Sequence, residues 1–246
     1  MRSLRLAWAF LTRLPGGAHP VGETELQGAV PWFPVVGAVV GALGAAVHAL
    51  LLSSPGDAVS PVTAAALTFM VTALVAGGFH EDGLADSFDA LAGGRDPAHR
   101  LSILKDSRHG TFGVLALVIV TLVKVSALSD LTGWTAAGAL VVAHGGGRSA
   151  AVVLMGTAPV ARPDGLGADY ARRLPRGVPT FAFAFGGILL VALFGPWAGA
   201  VAAVLLVAVG AVGLWAWRRI GGVTGDLLGA AEQVAECVIL VCAGAL

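Results

Sequence analysis

Apolar windows of nearly constant length recur along the chain, at about 31–53, 59–79, 111–129, 134–156, 179–195, 198–217 and 227–246. Each is near the roughly 20 residues that cross a bilayer as a helix, the fifth being short. The hydrocarbon core offers no water, so a spanning backbone must satisfy its own hydrogen bonds, and segments of this length do so as helices. Composition points the same way: the chain is 57% hydrophobic and 12% charged, against about 25% charged in a soluble domain. At 246 residues a chain could bury a sizeable core in water without being so short of charge. The expected fold is therefore all-α: one polytopic integral membrane helical bundle over residues 1–246, with about seven spans (6–8).

The basic residues set the expected orientation. Arg2, Arg5 and Arg13 lie at the N-terminus, Arg95, Arg100, Lys105 and Arg108 in segment 80–110, Arg162, Arg172, Arg173 and Arg176 in segment 157–178, and Arg218 and Arg219 after the sixth window. With seven spans these four regions share one side, and the connections near Asp57, Asp130 and Gly195-Pro196 carry no basic residue. Basic connections stay in the cytoplasm. Trp32, Trp134, Trp197, Trp215 and Trp217 fall at window ends, where an aromatic belt places them. Residues 1–15 read as a short interfacial helix, with Leu4, Ala7, Trp8 and Leu11 on one side and Arg2, Arg5 and Thr12 on another. This start carries no long apolar core and no small-residue cleavage pattern, so it does not read as a secretory signal.

Charge is balanced, 15 basic against 15 acidic residues, which argues against a nucleic-acid partner. Cys237 and Cys242 lie in an apolar window without any metal-ligand spacing and read as small buried hydrophobes. Lys124 and Arg148 fall inside windows. Charge at membrane depth costs at least about 2.5 kcal/mol, so each should face a partner or a polar cavity.

The stretch GGFHEDGLADSFDALAGG, residues 77–94, stands out. Read as a helix, it puts Asp82, Asp86 and Asp89 within about 60° of one another, and Leu84, Phe88 and Leu91 on the opposite side. A merely solvated face would favour Glu and Lys at i,i+4, whereas like charges at that spacing cost roughly 0.2–0.5 kcal/mol. No Lys or Arg lies between residues 80 and 94. A divalent cation would reverse the sign of that cost. Mg²⁺ takes oxygen ligands and leaves coordination sites open to substrate phosphates, so Asp82, Asp86 and Asp89 are the candidate metal ligands. His80 reads as a hydrogen-bonding neighbour.

Two further segments adjoin this edge in the expected topology. Asp96 with Pro97 forms a helix start. The short helix ends in Lys105-Asp106-Ser107-Arg108-His109. An ordinary basic loop would look similar. Beside a carboxylate site, Lys105 and Arg108 suit phosphate oxygens, because guanidinium meets phosphate as a fork. Asp106 is a candidate ligand or general base. In the stretch RRIGGVTGDLLGAAEQVAE, Gly221, Gly222 and Gly225 precede a helix whose free N–H groups could cradle an anion. Asp226, Gln233 and Glu236 project from one broad side of that helix, Glu236 about 15 Å beyond Asp226.

The motifs HEDGLADSFDAL, KDSRHGTFGVLAL and RRIGGVTGDLLGA, with FLTRLP and WFPVVG before them, resemble the cobalamin synthase family, the adenosylcobinamide-GDP ribazoletransferases. The likeness runs from about residue 10 to 240 with the motifs in order. It implies a multi-pass enzyme of a bacterial or archaeal cytoplasmic (inner) membrane, its site facing the cytoplasm, at the last assembly stage of vitamin B12. It also implies Mg²⁺, and small-molecule substrates: adenosylcobinamide-GDP joined to α-ribazole or its 5′-phosphate, with release of GMP. A homo-oligomer is compatible with it.

The family pattern H-x-D-G-L-x-D-x-x-D-G falls on His80, Asp82, Gly83, Leu84, Asp86 and Asp89, with Ala90 in place of its last glycine. Glu81 stands where leucine is usual, Gly147-Arg148 where serine–arginine is, and Gln233, beside Glu232, where a glutamate is. On this reading the catalytic set is Asp82, Asp86, Asp89 and Asp106. The substrate- and phosphate-binding set is His80, Lys105, Ser107, Arg108, Arg148, Gly222, Thr224, Gly225 and Asp226. Two rivals share features. A CDP-alcohol phosphotransferase would carry an arginine after D-G-x-x-A, where this chain reads DGLADSFD. An ion-coupled transporter would place its carboxylates at the bilayer midplane within repeated halves.

Overall fold

The computed structural model describes residues 2–18, 23–55, 58–106, 108–161 and 174–245. Among them the chain is helical, with no strand beyond one parallel bridge between Val160 and Val223. Ser107, and the expected loop residues Asp57, Arg162, Arg172 and Arg173, lie outside the described residues.

Among the described residues the α-helices are, in order, α1 Arg2–Leu11, α2 Glu23–Ala29, α3 Phe33–Leu52, α4 Pro61–Ala76, α5 Phe79–Phe88, α6 Pro97–Ile103, α7 Thr111–Ser129, α8 Gly133–Thr157, α9 Gly177–Phe194, α10 Ala198–Ile220 and α11 Gly225–Ala243. Helices occupy all seven apolar windows. By length and composition, four stretches among the described residues can cross a membrane, Gln27–Leu52, Thr111–Ser129, Gly133–Thr157 and Gly177–Ile220, or five if the bent pair of α4 and α5 is one span.

The difference from about seven has local causes. Helix α4 has 16 residues, about 24 Å at 1.5 Å each, which falls short of the roughly 30 Å core. The 44-residue stretch is interrupted at Gly195, whose φ of 52° ends α9 before α10 starts. Helix α11 carries Asp226, Glu232, Gln233 and Glu236 and is too polar to count, although it is buried along most of its length.

Helix α8 forms the centre, packed by α3, α9 and α11. Small residues let the backbones close up. A Cβ on Gly41 of α3 would collide with the Leu140 carbonyl of α8, and one on Gly147 would meet the Glu232 carbonyl of α11 at 3.0 Å. The N-terminal helix α1 buries Leu6, Ala7 and Leu11 against the bundle, while Arg2 reaches Glu25 at 3.2 Å. Phe10 stacks on Phe33 and meets Phe79 edge-on at 5.2 Å, so α1 braces the start of α5.

Between α4 and α5 the chain turns by 95°. Gly77 and Gly78 make the turn with φ of 72° and 69°, the left-handed region that costs other residues roughly 1–2 kcal/mol. Their N–H groups close the end of α4, Gly78 on the Ala73 carbonyl at 2.8 Å. A Cβ on Gly77 would also run into the Arg13 side chain. The turn lays α5 across the end of the bundle, against α11 and α7. Leu84 and Leu91 are buried and Phe88 half-buried, as the expected apolar stripe requires. Helix α5 continues as a π-helical turn, Asp89–Gly93, which the regular spacing of the sequence does not foretell.

Candidate metal and phosphate site

Asp82 and Asp86 project from the outer edge of α5. His109 comes back to them from the loop before α7: its Nε2 lies 3.6 Å from an Asp82 oxygen and its Nδ1 3.4 Å from an Asp86 oxygen. One ligand atom from each residue lies within 4.8 Å of the others. Atoms that share one Mg²⁺ at about 2.1 Å fall in that range. Among the described residues no lysine or arginine pairs with either aspartate. Burial pushes the Asp86 carboxyl up to about 6, helped by the charges of Asp82 and Asp226, while His109 pulls it down. Asp226 enters from the first turn of α11, which packs so closely that a Cβ on Gly83 would sit 2.8 Å from the Asp226 carbonyl. Carboxylate oxygens gathered in this way are the donor set a hard divalent cation fits.

Asp89 stands apart from that group. Its two oxygens accept the backbone N–H of Gly110 at 2.6 Å and of Gly113 at 2.9 Å. It is thus an anion at the N-terminus of α7. The glycines are needed because a Cβ on either would strike the carboxylate. By holding Gly110, Asp89 ties down the loop that delivers His109.

The basic segment is arranged less closely than its sequence suggests. Asp96 caps α6, accepting the His99 N–H at 2.9 Å with Pro97 behind it. Asp106 accepts the backbone N–H of Arg108 at 3.1 Å and its guanidinium NH2 at 2.7 Å. Those hydrogen bonds hold the Asp106 carboxyl down to about 2. Arg108 and Lys105 are both exposed on this loop.

In the glycine turn, Gly222 makes room for the chain itself: a Cβ there would collide with Pro159 and Val160, across the bridge in which Val223 donates to the Pro159 carbonyl. Thr224 caps α11, accepting the Leu227 N–H at 3.4 Å, and its hydroxyl donates to Asp226 at 3.2 Å. Gly225 opens the helix.

His80 and Arg148 lie in the interior, not on the outer edge. Arg148 NH1 donates to Glu232 at 2.5 Å, to Glu236 at 3.2 Å and to the His144 carbonyl at 3.0 Å, and NH2 lies 3.4 Å from His80 Nδ1. Lys124 Nζ donates to Glu236 at 2.6 Å and to Gln233 at 3.1 Å, and His144 Nδ1 lies 2.5 Å from Glu236. All these side chains are buried. The two charges read inside windows, Lys124 and Arg148, thus meet two glutamates of α11. His144, Glu232 and Glu236 also cluster as metal ligands would, but an ammonium and a guanidinium already supply the positive charge there.

Likeness to known proteins, taken with this geometry, decides the family. The model of the cobalamin-5-phosphate synthase family matches residues 3–244. The chain belongs to that family. An adenosylcobinamide-GDP ribazoletransferase of Bradyrhizobium diazoefficiens is 41% identical over 245 residues, covering 98% of this chain and 93% of the relative. One of Ralstonia nicotianae is 40% identical, covering 97% and 93%, and one of Pseudomonas aeruginosa 39%, covering 98% and 97%. No solved structure matches the chain. This member of the family is therefore an enzyme, a transferase of cobalamin biosynthesis, built as an all-α membrane protein.

Two elements of the site escape a reading of the sequence alone. His109 passes as one more residue of a basic run, although its place directly before Gly110, the glycine Asp89 holds, is a signal in hindsight. Glu232 passes as a neighbour of a family position, whereas two cations inside apolar windows imply buried carboxylates to receive them.

Proposed function

We propose that this enzyme joins adenosylcobinamide-GDP to α-ribazole, or to its 5′-phosphate, with release of GMP and dependence on Mg²⁺. The observation that carries the reading is the convergence of Asp82, Asp86 and His109, with Asp226 beside them, on the exposed edge of α5. The names of the relatives supply the substrate class.

In this reaction a ribose hydroxyl attacks the cobinamide-side phosphorus. A new P–O bond forms, the bond to the bridging diphosphate oxygen breaks, and GMP leaves. Transfer of this kind rests on positioning and charge neutralisation. Mg²⁺, when bound, would neutralise phosphate oxygens. Asp82 and Asp86 would hold it, with His109 and Asp226 within reach. Lys105 and Arg108 on the neighbouring loop would draw in the phosphates. Asp89 serves by fixing the start of α7 and so His109. Asp106 is a weak proton acceptor while Arg108 holds it near 2, and Asp89 already accepts twice. The hydroxyl proton is thus left to a carboxylate of the α5 edge.

We place this edge on the cytoplasmic side, because Arg95, Lys105, Arg108, Arg176, Arg218 and Arg219 lie in connections expected on one face.

The test is GMP release by purified protein from adenosylcobinamide-GDP plus α-ribazole, with and without Mg²⁺, with CDP-diacylglycerol as control donor. The reading predicts GMP only with the cobinamide substrate and Mg²⁺. It also predicts that Asp82→Asn and Asp86→Asn each cut turnover severely while membrane insertion survives. CMP from the lipid and no GMP would favour a phospholipid synthase instead.

A further inference from the structure

Helix α5 carries two different faces. From His80, at 100° per residue, Asp82 lies about 200° and Asp86 about 240° around the axis. Whatever holds His80 inward therefore turns the two aspartates outward. His80 is buried, and its Nδ1 faces Arg148 NH2 at 3.4 Å. A guanidinium cannot accept a hydrogen bond, so Nδ1 is the acceptor and the ring proton sits on Nε2.

Arg148 is itself fixed from the other side. Its NH1 is committed to Glu232, Glu236 and the His144 carbonyl. Glu236 in turn is held by Lys124 and His144. The chain of contacts thus runs from Lys124 of α7 through the glutamates of α11 to Arg148 of α8, and from Arg148 to the first turn of α5. A second contact of the same length runs alongside, Gln233 of α11 donating to Glu81 at 3.4 Å. A single guanidinium with one nitrogen for the bundle and one for α5 is suited to this task, and a lysine is not, because it presents one point charge.

We propose that Arg148 is a positioning residue: clamped by Glu232 and Glu236, it sets the rotation of α5 through His80 and so aims Asp82 and Asp86 at the cation. This rests on the reading of the α5 edge as a cation site. It assigns Arg148 a place behind the site, where the sequence alone suggested contact with phosphate.

The experiment uses the full chain purified in detergent, with Mn²⁺ as the probe, followed by the loss of its free electron paramagnetic resonance signal. Thermal unfolding and GMP release are measured on the same samples. Arg148→Lys keeps the charge facing the glutamates but loses the arm to His80. His80→Leu loses the acceptor, and His80→Asn keeps a side-chain amide near the Nδ1 position.

The expected result is that Arg148→Lys and His80→Leu each raise the Mn²⁺ concentration for half-saturation about tenfold. Each should also lower turnover roughly 10- to 100-fold, the scale of a misplacement of about 1 Å. The double variant should be no worse than either single, since both break one link, and His80→Asn should stay near wild type. Unchanged Mn²⁺ binding and turnover per folded molecule would overturn the proposal, as would multiplying effects or an Asn variant as impaired as Leu. If Arg148→Lys does not fold, the two His80 variants decide alone. Wild-type protein that takes up no Mn²⁺ would instead overturn the cation reading of the edge.

Discussion

Asp86 and Asp89 sit one helical turn apart and behave as different chemical groups. Asp89 spends both oxygens on backbone N–H groups at the start of α7, those of Gly110 and Gly113. Asp86 lies among like charges, and burial and those charges lift its carboxyl to about 6. The sign of the consequence follows. Below about pH 4 the Asp86 side chain is protonated whether the chain is folded or not. Between there and about 6 the folded chain keeps a proton that the unfolded chain has lost, so this residue's contribution to stability falls as pH rises through that window. Cation binding runs the other way, because the proton competes with the metal. Mn²⁺ affinity of the wild-type protein should therefore climb from pH 5 to 7 and level off above. A titration at several pH values checks this. The carboxylate edge itself is legible in the spacing of Asp82 and Asp86. The separate duty of Asp89 is not, because it depends on the start of α7 returning to α5 across more than twenty residues.

Among the elements, the turn between α4 and α5 controls where that edge points. Two consecutive left-handed glycines bend the chain by 95°, and they differ in what surrounds them. At Gly78 an added Cβ meets nothing within 4 Å, whereas at Gly77 it meets the side chain of Arg13. Gly78→Ala should cost about 1 kcal/mol of backbone strain alone. Gly77→Ala should cost more and lower activity further, since Arg13 or the bend must shift. Thermal unfolding and GMP release of the two variants would show this order, and equal effects would contradict it. The glycine pair is visible in the sequence as a bracket around the acidic stretch. The π-helical turn at Asp89–Gly93 is not, since no residue type marks it. The break at Gly195-Pro196 between α9 and α10 is legible for the usual reason that glycine and proline end helices.

At the scale of the whole molecule, the seven apolar windows predict where helices form, and less well what each helix does. Helix α11 reads as a last span, yet it is the polar spine of the bundle, meeting α7, α8 and α5 through Gln233, Glu232 and Glu236. Windowed hydropathy does not show this, because pairing across helices hides charge from lipid only once the bundle is assembled. Breaking one member of such a buried pair leaves an uncompensated charge, at a cost of roughly 3–5 kcal/mol. This interior holds the frame that presents the α5 edge, and the account stands or falls on that edge binding a divalent cation. The most direct measurement is a Mn²⁺ titration of the purified, substrate-free protein by electron paramagnetic resonance, repeated on Asp82→Asn, Asp86→Asn and Asp89→Asn. Wild type should take up Mn²⁺ saturably, Asp82→Asn and Asp86→Asn should lose that uptake, and Asp89→Asn should only weaken it. Uptake that survives both Asp82→Asn and Asp86→Asn would contradict a cation site at this edge.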